Sequence, residues 1–223
     1  MSTGVAENLA QVRERIAAAC ARAGRPVESV TLVAVSKLKP AALIREAYAA
    51  GQRDFGENYA QELRDKAVEL ADLKDLRWHA IGALQTNKVK YVARVASAFH
   101  ALDRLEVARE LAKRRQDAPP LPCYVEVNVG GEATKSGLTP SELGAFLDAA
   151  KALTALQLVG LMALPPPSED DARVREGFRA LRELARQHGL PGLSMGTTHD
   201  FEHAIEEGAT LVRVGTAIFG ERT

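Results

Sequence analysis

Short apolar runs alternate with amphipathic stretches along nearly the whole chain. Leu9, Val12, Ile16 and Cys20 recur at three- and four-residue spacing and Gly24 and Pro26 follow, so residues 5–23 are predicted as an amphipathic N-terminal helix. From Thr31 onward the period alternates. Residues 31–35 read as a strand and 41–50 as a helix closed by Gly51; 54–56 and 60–70 are the next pair, 77–81 leads into 88–95, and 98–101 leads into 104–115. Beyond Pro119-Pro120, 122–127 is the most strand-like run and 141–153 its helix. Residues 156–161 then precede the Pro165-Pro166-Pro167 turn and a long helix over 170–188, where Phe178, Leu181 and Leu184 form the core stripe and the dispersed Glu and Arg residues a solvated face. The last two pairs are 192–194 with 201–207 and 211–214 with a short turn over 216–219.

Eight strand-helix units with a parallel sheet predict an α/β fold, a closed (β/α)8 TIM barrel with an extra N-terminal helix, because closure removes both sheet edges. A doubly wound open sheet is the alternative. No linker separates a second domain, so one barrel domain over 1–223 is expected.

Composition narrows the partners. Twenty-nine basic residues balance 29 acidic ones, which gives no net field for nucleic acid or an anionic membrane surface, so an anion must be held by a local site. Cys20 and Cys123, the two cysteines, lie far apart among apolar neighbours and suit neither a disulfide framework nor a metal cluster. No basic-then-apolar leader opens the chain, and no apolar run approaches the roughly 20 residues that span a bilayer. A soluble protein of the reducing cytoplasm is expected.

Candidate chemistry gathers after the strands. Lys37 ends the run Thr31-Leu32-Val33-Ala34-Val35-Ser36, at the carboxyl end of a buried strand, where such sheets and barrels place their ligands. A half-desolvated amine there has its pKa lowered toward neutrality and attacks aldehydes; the alternative is a solvent-facing loop lysine. Other strand ends are also polar: Gly56-Glu57-Asn58-Tyr59 after the second, Gly82, Gln85, Asn87 and Lys88 after the third, and Asn128 with Glu132, Lys135 and Gly137 after the fifth. The loops after strands seven and eight, Ser194-Met195-Gly196-Thr197-Thr198-His199-Asp200 and Arg213-Val214-Gly215-Thr216, combine small residues, hydroxyls and helix starts. Barrels commonly bind phosphate there, although tight turns and helix caps would use the same residues. Lysine and anion loops together suggest a phosphorylated aldehyde. His79 inside an apolar strand reads as a hydrogen-bonded core histidine, and His100 and Asp103 as loop hydrogen-bonding groups. His199-Asp200 lacks a nucleophile for a triad, and no cluster has metal-ligand spacing.

The segments LVAVSKLKP, FGENYAQE, WHAIGALQTNK, VNVGGEATKSG, GLMALPP and LSMGTTHDFEHAIEEGATLVRVGTAIFG, in this order, resemble the pyridoxal-phosphate homeostasis proteins, short single-barrel relatives of the alanine racemase N-terminal domain. The resemblance implies that Lys37 carries pyridoxal 5′-phosphate as a Schiff base and that Thr198, Gly215 and Thr216 hold its phosphate. It sets Arg213 against the pyridine nitrogen and Asn58, His79, Asn128, Met162 and Ser194 around the ring. Where the family usually reads Ser-Met-Gly-Met-Ser, this chain has Thr197 and Thr198 in the last two places. Threonine keeps the hydroxyl and adds a methyl, so phosphate binding is expected with altered packing. The implied role is cofactor carriage and vitamin B6 homeostasis without significant catalysis, by a monomer or weak dimer, with apoenzymes that use the cofactor as candidate recipients. The rivals are an amino-acid racemase and a cofactor-free Schiff-base aldolase. A racemase of the related fold adds a C-terminal β-domain carrying a second acid/base residue, whereas the eighth unit here runs straight to Thr223, which leaves Lys37 as the evident base.

Overall fold

The structure, a computed structural model, describes residues 4–131, 136–164 and 170–221. Helix α1 (Val5–Arg22) buries Leu9, Val12, Ile16 and Cys20, the face its spacing predicted, and packs against helices at both ends of the chain. Strands and helices then alternate: β1 (Thr31–Val35), α2 (Ala41–Ala49), β2 (Asp54–Glu57), α3 (Ala60–Glu69), β3 (Arg77–Ala80), α4 (Val89–Val92), β4 (Ala98–Leu102) and α5 (Leu105–Arg114). The second half continues with β5 (Leu121–Glu126), α6 (Pro140–Ala150), β6 (Leu156–Met162), α7 (Asp171–Gln187), β7 (Gly192–Ser194), α8 (Phe201–Glu206), β8 (Leu211–Val214) and α9 (Thr216–Phe219).

All strands are parallel and each pairs with the next, and β8 returns to β1 in the register Thr31↔Leu211 to Ala34↔Val214. That last pairing closes a (β/α)8 barrel and rules out the open sheet. Gly160 and Gly192 let β6 and β7 approach: a Cβ on Gly160 would lie 2.1 Å from the Gly192 carbonyl oxygen, nearer than any side chain can sit.

Three elements differ from expectation for identifiable reasons. The helix expected over 88–95 shrinks to a 3₁₀ turn, Thr86–Lys88, and the single turn α4. The buried Arg115 guanidinium donates to the Ala93 carbonyl at 2.7 Å and the Ala96 carbonyl at 3.3 Å, satisfying acceptors that a longer helix would use. Helix α6 starts one residue earlier than expected because Thr139 and Glu142 form a capping box around Pro140, and it ends at Ala150. On α7, Asp170 caps the first turn, accepting from the Ala172 amide at 2.9 Å, and Val174, Phe178, Leu181 and Ala185 are buried with Leu184 at the margin. Its charged face is more than solvated: Arg175, Arg179 and Arg182 converge on the buried Glu207 at 3.2, 2.9 and 3.4 Å.

Among the described residues no helix is long and apolar enough to cross a membrane, and no group of side chains could hold a metal ion. Cys20 and Cys123 are buried free thiols. The Pro165-Pro166-Pro167 turn, Glu132 and Lys135 lie outside the described residues.

The barrel interior departs from the usual layers of branched aliphatic side chains. His79, His100, Ser194 and Arg213, from four different strands, are buried and hydrogen-bonded to one another.

Candidate functional site

The turn after β1 is held from below by a buried lysine. Lys66 of α3, 7 % exposed, donates to the Ser36 carbonyl at 2.7 Å, to Glu57 at 2.8 Å and to Glu62 at 2.7 Å. The Ser36 hydroxyl donates to Glu57 at 2.7 Å, and the Leu38 amide donates to Glu62 at 2.7 Å. Both neighbours of Lys37 are therefore tied to one ion cluster. Leu38 has φ +60°, a left-handed conformation that costs a branched residue on the order of 1–3 kcal/mol and persists only where the surroundings enforce it. Burial pushes the Glu57 carboxyl up, and the Lys66 ammonium pulls it back.

Above this turn the mouth of the barrel holds a pocket of about 210 Å³. Lys37, Asn58, Thr198, Arg213, Gly215 and Thr216 all line it, so residues from β1, β2, β7 and β8 or the loops that follow them converge as the strand-end pattern requires. Val35, Ile81, Leu164, Thr197 and His199 complete the lining. Sequence reasoning had not singled out the apolar three, since residues at strand ends carry no separate signal for a ligand wall.

The hydroxyl loops are shaped by tight packing. Gly196 has φ +93°, and a Cβ there would lie 2.6 Å from the Ala204 side chain, so this turn requires glycine. The Thr197 amide and hydroxyl both donate to Asp200, at 2.6 and 3.0 Å, which fixes one of the two residues that depart from the expected pattern. The Gly215 amide donates to the Thr198 hydroxyl at 3.3 Å, so two of the candidate phosphate groups already meet. A Cβ on Gly215 would approach the Val35 carbonyl oxygen to 3.2 Å, tighter than ordinary packing.

Arg213 is the buried cation of the site. It donates to the Ser194 carbonyl at 2.7 Å, to the Ser194 hydroxyl, and to the Ala163 carbonyl at 3.2 Å. Burial pushes its pKa down to about 10, which leaves it cationic at neutral pH.

Four residues that the resemblance set around a ring do not line the pocket. His79 lies deeper, its Nε2 3.0 Å from Asp54 and its Nδ1 2.9 Å from His100, so both nitrogens are committed inside the barrel. Ser194 is fully buried beneath Arg213, and Met162, in register with both Glu126 and Ser194, is buried as well. Asn128 follows β5, where its amide donates to the Leu138 carbonyl at 2.9 Å. Glu126, which sequence reasoning passed over, is held at about 7 by burial and by Asp103 against the pull of Arg213.

Comparison with known proteins identifies the family. Residues 8–223 match the family described as alanine racemase, N-terminal domain. A pyridoxal phosphate homeostasis protein of Pseudomonas aeruginosa is 51 % identical over 100 % of this chain and 97 % of its own length. One from Aquifex aeolicus is 47 % identical over 97 % of each chain. The chain belongs to the pyridoxal phosphate homeostasis protein family. Among solved structures, PipY of Synechococcus elongatus with PLP bound is 38 % identical, with a TM-score of 0.83 over 97 % of this chain and 100 % of that one.

The Lys66 cluster generates a stability prediction. Lys66→Ala leaves Glu57 charged and buried without its counter-ion, which typically costs about 3–5 kcal/mol. Chemical denaturation should show a loss of that size and Glu62→Gln a smaller one, because the Glu62 side chain is 19 % exposed and the Glu57 side chain 0 %. An unchanged midpoint for Lys66→Ala would show that the turn stands without the cluster.

Proposed function

We propose that this chain binds pyridoxal 5′-phosphate reversibly in the pocket at the barrel mouth, with Lys37 as the covalent anchor, and serves cytoplasmic vitamin B6 homeostasis without significant catalysis. Enzymes that use the cofactor are its proposed recipients. The observation that carries this reading is the meeting of Lys37, Arg213 and the Thr198-Gly215-Thr216 group around one small cavity. An amine, a fixed cation and a cluster of hydroxyl and amide donors suit an aldehyde, a ring nitrogen and a phosphate in turn. Membership of the homeostasis family and the PLP-bound PipY structure support the same cofactor.

When bound, pyridoxal phosphate supplies a reactive aldehyde and a ring whose electron demand rises when its nitrogen is protonated. The chain's own groups bias that chemistry. Lys37 is half-buried on a turn whose flanking residues are pinned, so the backbone that carries its amine has little conformational freedom. Arg213 is permanently cationic and can only donate, so it favours an unprotonated ring nitrogen and keeps the electron sink weak. Racemisation also needs a placed second acid or base. Among the described residues, Glu126 is off the pocket lining and His199 is exposed at its lip. A cofactor-free aldolase would use the lysine and the anion loops but leaves the buried Arg213 unexplained.

Three measurements test this reading. Borohydride reduction of cofactor-loaded protein followed by peptide mapping should find the label on Lys37; label on Lys39 or Lys88 with none on Lys37 would remove the anchor. Because hydrogen bonds to a charged group contribute about 1.5–3 kcal/mol each, pyridoxal should bind at least ~10-fold more weakly than its phosphate, and equal affinities in a fluorescence titration would contradict the phosphate site. Chiral chromatography of common amino acids incubated with loaded protein should show no racemisation approaching ~1 s⁻¹, the lower end of ordinary enzyme rates. Sustained turnover at that rate, lost in Lys37→Ala, would make the chain an enzyme.

A further inference from the structure

Below the pocket a line of hydrogen bonds runs down the inside of the barrel. Arg213 donates to the Ser194 hydroxyl, Ser194 Oγ lies 2.8 Å from His100 Nδ1, His100 Nε2 lies 2.9 Å from His79 Nδ1, and His79 Nε2 lies 3.0 Å from Asp54. Arg77 grips Asp54 through two bonds of 2.7 and 2.6 Å. We propose that His79, His100 and Ser194 are positioning residues, a column in which every donor points from Arg213 toward Asp54 and which fixes the guanidinium presented to the cofactor. The part concerning the cofactor rests on the function proposed above.

The direction follows from the two ends. An ionised carboxylate can only accept and a guanidinium can only donate. Asp54 is ionised at neutral pH, because the bonds from Arg77 and His79 outweigh its burial and bring its pKa to about 2. His79 Nε2 therefore carries hydrogen and Nδ1 is a lone pair. That lone pair faces His100 Nε2, which must donate, so His100 Nδ1 accepts from the Ser194 hydroxyl, whose own lone pair accepts from Arg213. Both rings are satisfied while neutral, and reversing either tautomer sets two lone pairs or two hydrogens face to face.

The surroundings of His100 favour its neutral state. His100 is fully buried and packed between the His79 ring at 5.1 Å and the Tyr124 ring at 4.6 Å, and burial, with His79 and the cationic Arg213 beside it, keeps its pKa well below the usual histidine value. A cavity of about 300 Å³, lined by Asp54, Arg77, His79 and Tyr124, reaches the lower end of the column where the strands begin. An aliphatic interior would pack the barrel without desolvating polar groups, so a fully paired polar column points to what it holds at its top.

The first measurement needs no cofactor. Nitrogen-15 spectra of histidine-labelled protein at neutral pH should show His79 and His100 as neutral Nε2–H tautomers; an imidazolium or an Nδ1–H tautomer at either ring overturns the donor order. The second follows the visible band and cofactor release of loaded variants. Ser194→Ala and His100→Leu should release cofactor ~10-fold faster, the equivalent of one lost hydrogen bond of about 1.4 kcal/mol, and should make the band vary with pH across the neutral range. His100→Gln, whose amide can donate toward His79 and accept from Ser194, should move both readouts back toward wild type. If Ser194→Ala matches wild type in both, the column does not position Arg213. If wild-type protein takes up no cofactor while the tautomers are as assigned, the donor order stands and the cofactor reading fails.

Discussion

Pairing of β8 back onto β1 is the constraint from which the site follows. It sets Val33 opposite Arg213 and Ala34 opposite Val214, so the two ends of the repeating sequence become neighbours. Lys37 and Gly215, remote in the chain, then follow adjacent strands, and Gly215 abuts the Val35 carbonyl closely enough that a Cβ there would be tighter than ordinary packing. An open sheet with the same elements would leave the lysine and the anion loops on opposite edges. Closure also turns one face of every strand inward, which forces any polar residue there to find its partners inside the barrel.

Two such buried networks lie under the pocket, and they meet different demands. Lys66 with Glu57 and Glu62 sits outside β1 and β2, under the helix α3 that supplies it, and holds the backbone on both sides of Lys37. The histidine column lies within the barrel and ends on Arg213. One network holds the turn that carries Lys37 and the other holds the Arg213 guanidinium, each through mostly buried groups. Low dielectric strengthens such bonds when all are made and makes each missing partner costly, so both ends of the site tolerate little displacement. The buried Oε2 atoms of Glu57 and Glu62, which have no hydrogen-bond partner among the described residues, are the imperfect part of the first network.

Legibility of the chain followed the physics of each signal. Strands β1 and β8 could be read to the residue because apolar runs stand out against polar flanks, and α1 to within one residue because its apolar spacing is unbroken. Where a distant side chain ends an element, as Arg115 does at α4, local pattern holds no trace of it. Strand ends pointed to Lys37, Asn58, Thr198, Arg213, Gly215 and Thr216, which do share a pocket, since position after a barrel strand implies convergence. Depth along the barrel axis was not legible, so His79 and Ser194 could not be separated from the residues above them. Lys66 was invisible for another reason: within Ala60–Glu69 it looks like one more charge on a solvated face, and only its i,i+4 relation to Glu62 hinted at a pair.

The loop chemistry bears on why the proposed binding should be reversible. The Gly215 amide is already donated to the Thr198 hydroxyl, so an arriving phosphate oxygen exchanges that bond for its own instead of adding one to an empty donor. The gain is the difference between a neutral and a charge-assisted hydrogen bond, smaller than either alone. Asp200 adds a second restraint, because its carboxylate holds the Thr197 amide and hydroxyl and places a negative charge beside the anion loop. A site built only to retain phosphate would have aimed those donors at the ligand. On the function proposed above, affinity is divided between the amine of Lys37 and the anion loops, so neither contact alone has to retain the ligand and a competing amine can release it, as a carrier requires.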